Sequence, residues 1–148
     1  MWVGVKGAGA EGIKVSGHAG GTIAASTVEE SQQSGVVLSS CSGTRIVACN
    51  VDSNSLDPNA VYPGIKLAGC NGSAVGFSKS RALLSSSRQT FGVFVEGGSG
   101  CVVGPNDLSP NRGEDGSATG ASALLPSRTV RLNGPGHVEF GNYKTEVF

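Results

Sequence analysis

The side chains able to do acid–base, nucleophilic or metal chemistry are 2 histidines, 4 cysteines and 11 acidic residues in a chain of 148. His18 and His137 lie far in sequence from Cys41, Cys49, Cys70 and Cys101, and no CxxC pair occurs. Structural zinc sites draw their ligands from closely spaced pairs, so no metal is expected. The acids are Glu11, Glu29, Glu30, Asp52, Asp57, Glu96, Asp107, Glu114, Asp115, Glu139 and Glu146, mostly in turns rich in Gly and Pro. Glu29-Glu30 and Glu114-Asp115 are adjacent pairs, and neighbours on a strand face opposite ways, which suits solvated loop charges better than a glycosidase pair. Gly7-Ala8-Gly9-Ala10-Glu11-Gly12 fits GxGxxG, but no apolar strand precedes it and no helical pattern follows. A dinucleotide needs that strand–turn–helix setting to place its phosphates at a helix N-terminus. With no HExxH, GxSxG or Walker motif either, the expectation is no catalytic residues, no cofactor and no enzyme. A binding or structural protein remains.

The elements that carry these residues must be short. Gly supplies 24 of the 148 residues, more than twice the usual share of roughly 7%, and charged residues are only 15% of the chain. Gly, Ser and Val all sit low on the helix scale, so long helices are disfavoured. The formal charge is +0, which argues against duplex nucleic acid, whose phosphates demand a surplus of Lys and Arg. Low aromatic content argues against single-strand stacking platforms. No run approaches the roughly 18 apolar residues of a membrane span. The N-terminal Met-Trp-Val-Gly-Val-Lys-Gly lacks the pattern of a secretory signal, so the chain reads as made in a cytoplasm and its cysteines as free thiols.

An internal repeat organises the chain. Gly35-Val36-Val37-Leu38-Ser39-Ser40-Cys41-Ser42-Gly43-Thr44-Arg45-Ile46 aligns without a gap on Gly64-Ile65-Lys66-Leu67-Ala68-Gly69-Cys70-Asn71-Gly72-Ser73-Ala74-Val75, at an offset of 29. Thr129 to Phe140 is a looser copy with a shorter turn. Val36 and Leu38, like Ile65 and Leu67, share a face at the period of a strand. A turn at Ser42-Gly43 or Asn71-Gly72 then makes each copy a hairpin, with Ile46 or Val75 on the returning strand. Cys41 and Cys70 occupy equivalent places beside the turn, as small structural residues. A further hairpin is expected from Thr90–Glu96, with Phe91, Val93 and Val95 on one face, through Gly97–Gly100 to Cys101–Val103. Thr27-Val28-Glu29-Glu30 has capping-box spacing and allows a helix of two turns or a plain polar loop. Residues 104–120 form a long loop.

Residues 1–22 differ from the rest. Val3, Val5, Ile13 and Val15 alternate with polar or tiny residues among seven glycines. Two readings stay open: an arm that adds a strand to a partner's sheet, with Trp2, Val3, Val5, Ile13 and Val15 as its contacts, or an edge hairpin closing the chain's own barrel. The division expected is therefore a Gly-rich arm over 1–22 and an all-β domain, a small β-barrel of short hairpins, over 23–148.

Tyr62-Pro63-Gly64-Ile65-Lys66-Leu67-Ala68-Gly69 with Gly72-Ser73-Ala74-Val75, followed by Phe91-Gly92-Val93-Phe94-Val95-Glu96 with Gly100-Cys101-Val102-Val103, resembles the capsid decoration (cement) proteins of tailed bacteriophages. The resemblance covers about residues 60–103, and its motifs are structural. It implies a small β-barrel bound as a homotrimer to the outer surface of the capsid in the virion. The partner would be the major capsid protein, met in part through the N-terminal segment, with no nucleic acid, membrane or catalysis involved. The four cysteines and the 104–120 loop depart from that pattern. Two other classes stay in view: a subunit of an extracellular β-rich filament or adhesin, and a carbohydrate-binding head- or tail-fibre module. The latter would need solvent-facing aromatics, and Trp2, Tyr62 and Tyr143 are few and scattered.

Overall fold

A computed structural model describes residues 3–108, 111 and 130–142. They contain fourteen short strands and no helix. The strands are β1 (Gly4–Lys6), β2 (Ile13–Ser16), β3 (Thr22–Ala24), β4 (Thr27–Glu29), β5 (Val36–Ser39), β6 (Arg45–Val47) and β7 (Asn50–Asp52). They continue with β8 (Ile65–Ala68), β9 (Ala74–Gly76), β10 (Lys79–Arg81), β11 (Val93–Glu96), β12 (Val102–Val103), β13 (Val130–Asn133) and β14 (Val138–Glu139). Three sheets form, in the orders β1-β4-β7-β10, β13-β11-β8-β5-β2 and β14-β12-β9-β6-β3. All their ladders are parallel. The chain thus visits the three sheets in turn and starts again one layer up, a parallel β-solenoid of stacked coils.

The all-β class is as expected. The hairpins and the closed barrel are not found, because consecutive strands such as β5 and β6 lie in different sheets. The repeat in the sequence is the coil itself. Val36 lies beside Ile65 and Leu38 beside Leu67, so aligned residues are stacked neighbours rather than equivalent parts of separate hairpins. The segments behind the phage resemblance behave the same way: Ile65 pairs with Val93, and Val75 with Val103. Thr27–Glu29 is a strand rather than the start of a helix. The looser copy splits into β13 and β14, which extend two different sheets.

What bends the chain is a left-handed residue after a strand. After β2, β5, β8 and β11 these are Gly17, Ser40, Gly69 and Gly97, with φ of 63°, 52°, 61° and 67°. After β3, β6 and β9 they are Ala25, Ala48 and Phe77, with φ of 48°, 53° and 53°. After β2, β5 and β8 a second left-handed residue follows three positions later, at Gly20, Gly43 and Gly72, and the chain turns into the next sheet. A two-residue hairpin of the type-I′ kind needs two in succession to reverse it. Gly, Ser and Ala fill six of these seven corners, in keeping with the strain that bulkier side chains meet there; Phe77 is the exception, with its side chain in solvent.

Like residues stack in the interior. Val28, Val36, Leu38, Ile46, Val51, Ile65, Leu67, Val75, Val93, Val95 and Val103 are all fully buried. Each contributes about 1.5–3 kcal/mol of burial. Before β2, β5, β8 and β11 stands a column of glycines: Gly12, Gly35, Gly64 and Gly92. A Cβ there would run into Val28, Val51, Ser80 and Leu108 respectively, so the Gly that opens each copy of the repeat is required by close approach.

Candidate functional site

The four strand-contact residues expected in 3–22 come together. Val5 lies on β1, Ile13 and Val15 on β2, and Val3 just before β1; with Ile23 of β3 they line a cavity of about 230 Å³. Trp2 lies outside the described residues. This segment, for which the sequence left a partner-binding arm and an edge hairpin open, is the first coil of the stack from residue 3 onward. Val5 pairs with Val28, Val15 with Leu38 and Ile23 with Ile46 of the second coil. It is pinned at the ends of its strands by backbone bonds, the Thr27 amide to the Val3 carbonyl (2.9 Å) and the Gly7 amide to the Glu29 carbonyl (3.1 Å). The Val3 amide also donates to Ser26 Oγ.

Position in the stack makes this coil different. β1, β2 and β3 each stand at the end of their sheet, so among the described residues three parallel strand edges open on one side. Val5, Ile13, Val15 and Ile23 pack on the core from one side yet are only partly buried. The open end therefore combines an apolar hollow with unpaired ladder edges among the described residues, the chemistry that accepts an added strand or coil. Its rim carries charge in neutralised pairs, Lys6 with Glu30 at 3.1 Å and Lys14 with Glu11 at 2.7 Å. The Lys14 ammonium holds the Glu11 carboxyl below its usual range.

The chemistry-bearing residues elsewhere are used structurally. Cys41, Cys49, Cys70 and Cys101 are free and buried. Cys41 Sγ faces the Val15 carbonyl at 3.6 Å, and Cys70 Sγ the Leu38 carbonyl at 3.5 Å, so the two equivalent thiols each reach back one coil. Burial pushes the Cys70 and Cys101 thiols up, away from the thiolate a nucleophile needs. Arg81 binds Asp52 through Nη2 and Oδ2 at 2.8 Å and reaches Asp107 at 3.4 Å. His137 Nδ1 accepts the Cys101 amide proton at 3.1 Å. Among the described residues no three His, Cys, Asp or Glu side chains gather as metal ligands, and no helix is long and apolar enough to cross a membrane.

Comparison with protein-family models, curated proteins and solved structures gave no match.

Proposed function

We propose that this is a non-catalytic structural protein that attaches to a larger β-rich assembly through its exposed first coil, as a decoration protein on the outer surface of a phage capsid would. The observation that carries the reading is the open end itself: three strand edges around a hollow lined by Val3, Val5, Ile13, Val15 and Ile23. An extended segment of the major capsid protein laid against β1, β2 or β3 would gain ladder hydrogen bonds and bury those side chains. Single contacts of this size are weak. A homotrimer presenting three open ends would bind the second and third at high effective concentration. Attachment to the assembled lattice alone then shifts its equilibrium away from disassembly. The β-solenoid supplies a rigid stack for this task in place of the barrel that the sequence resemblance implies.

Val15→Lys tests it. Val15 is only partly buried, so the variant stays folded and its circular dichroism keeps the wild-type form. Binding to expanded empty capsids is expected to fall at least about tenfold, the equivalent of ~1.4 kcal/mol. Unchanged capsid binding by the folded variant overturns the reading. Wild-type chains that join end to end in sedimentation without any shell, and stop doing so in Val15→Lys, would put the filament subunit in its place.

A further inference from the structure

At the other end of the stack, among the described residues, β13 and β14 of the fifth coil terminate two of the three sheets. The inward register of the β3-containing sheet runs through Ile23, Ile46, Val75, Val103 and Glu139 from the first coil to the fifth. Four aliphatic residues are followed by an acid. In the β2-containing sheet both inward columns stay apolar to the last strand, at Val130 and Leu132. The Glu139 carboxylate accepts a hydrogen bond from Asn142 Nδ2 at 3.1 Å, which leaves its charge in place. On either side of it, Val138 and Phe140 are each 51% exposed. The alternation that would hide two apolar residues is therefore inverted in this one strand. A local rule given up with no gain in packing marks a functional position.

The two ends of the stack match in geometry, because β13 and β2 belong to one sheet and β14 and β3 to another. A second copy stacked head to tail would continue both sheets, with its Ile13 over Val130, its Val15 over Leu132 and its Ile23 over Glu139. Such a heterologous contact does not close, and it grows into a filament. We infer that Glu139 is the residue that denies this end to a second copy of the chain. Stacking would take its carboxylate out of water, between Ile23 of the incoming copy and Val103 below. A charge buried among aliphatic side chains strongly opposes that contact. Inward-pointing charge on an edge strand is one of the ways in which sheets avoid edge-to-edge association. The first coil carries Val5, Ile13, Val15 and Ile23 at its inward positions and so has no such barrier. With the first coil read as an attachment surface, on which this assignment rests, Glu139 explains why copies of the chain do not occupy one another's open ends.

The test is sedimentation velocity of the whole chain over a concentration series, with circular dichroism to show that each variant is folded. Glu139→Val is expected to form end-to-end chains, with the onset of association at a concentration at least about a hundredfold below that of wild type, the scale of one unpaired buried charge. Glu139→Lys, which keeps a charge at the position while losing the bond to Asn142, should sediment as wild type does. Adding Val15→Lys to Glu139→Val should abolish the chains, because it places a charge in the other half of the contact. Glu139→Val that sediments as wild type overturns the proposal. So do chains formed equally by Glu139→Lys, or chains that survive Val15→Lys. Capsid binding by the same variants separates the two readings. If Val15→Lys loses capsid binding while Glu139→Val forms no chains, only this inference fails. If Glu139→Val forms chains through Val15 while capsid binding ignores Val15→Lys, only the attachment reading fails.

Discussion

The first and third coils follow one plan and finish in different states. Val5 and Val51, Ile13 and Ile65, Val15 and Leu67, and Ile23 and Val75 occupy corresponding inward positions along the same three sheets. In the third coil all four are fully buried; in the first they are partly exposed. Neither hydrophobicity nor geometry accounts for the difference. A coil cannot cover its own interior, and burial comes from the layer above and the layer below. The same aliphatic residue is core in the middle of the stack and interface at its end.

Truncation of the interior breaks this comparison most directly. Leu67→Ala leaves a cavity between two covering coils and is expected to cost about 2–5 kcal/mol. Val15→Ala at the open end removes methyl groups that are half in solvent and should cost about 1 kcal/mol or less. Chemical denaturation of both variants checks the order. Equal losses would mean that the first coil is covered in solution.

The glycine column sharpens the point through overpacking. A Cβ at Gly64 would meet Ser80 Oγ and the Gln89 side chain, and one at Gly12 would meet Val28 Cγ1 and the Gly35 carbonyl. Gly64→Ala, clamped between coils, should cost about 3 kcal/mol, the upper range for inserted methyl groups. Gly12→Ala should cost about 1 kcal/mol, because an end coil can tilt away from the clash. Melting temperatures that fall equally in the two variants would show the first coil to be as constrained as the third.

Much of this was legible in the sequence, and what was missing is specific. Inward faces such as Val36 with Leu38 and Ile65 with Leu67 follow from a period of two, whichever strand pairs with which. The equivalence of Cys41 and Cys70 follows from the alignment at 29. Pairing does not follow, because a strand–turn–strand repeat reads the same whether the turn reverses the chain or rounds a corner. The first coil escaped the alignment because it stacks at another spacing: its Val3 amide meets Ser26 Oγ 23 residues on, while Thr44 meets Ser73 Oγ 29 residues on. The extra residues of the third coil lie between β7 and β8. Gly12-Ile13-Lys14-Val15-Ser16 against Gly35-Val36-Val37-Leu38-Ser39 was the available signal. The lateral row of Lys66, Phe94 and Arg131 on β8, β11 and β13 had none, since unequal insertions separate its members and only parallel stacking joins them.

The cysteines give a smaller effect of the same kind. Cys41 reaches the first coil at the Val15 carbonyl, and Cys70 the second at the Leu38 carbonyl. A serine in either place meets the same acceptor, so the cost of burying its hydroxyl falls near the low end of the roughly 1–3 kcal/mol range. Cys70→Ser should exceed Cys41→Ser, whose acceptor belongs to the half-covered coil. With all four thiols free, added reductant should leave the wild-type melting temperature unchanged. A drop on reduction would show a disulfide in solution.

The smallest expected effect belongs to the rim of the open end. The hydrogen bond and charge of Lys14 hold the Glu11 carboxyl below its ordinary range in the folded chain, with Nζ and Oε1 2.7 Å apart. A carboxyl with a lowered folded pKa binds fewer protons than in the unfolded chain. Its contribution is therefore present above the unfolded value of about 4.3 and disappears as pH falls through the folded value. Lys14 is mostly in solvent, so the contribution is a few tenths of a kcal/mol, as for other exposed pairs. Glu11→Gln should melt slightly below wild type at neutral pH, with the gap closing as pH falls below the ordinary carboxylate range and narrowing in high salt. The interior pair of Arg81 and Asp52, with Asp52 nearly buried, should lose far more in Arg81→Met, which strands a carboxylate. If Glu11→Gln costs as much as Arg81→Met at neutral pH, the rim of the first coil is desolvated, and the end that looks open is covered by something bound there.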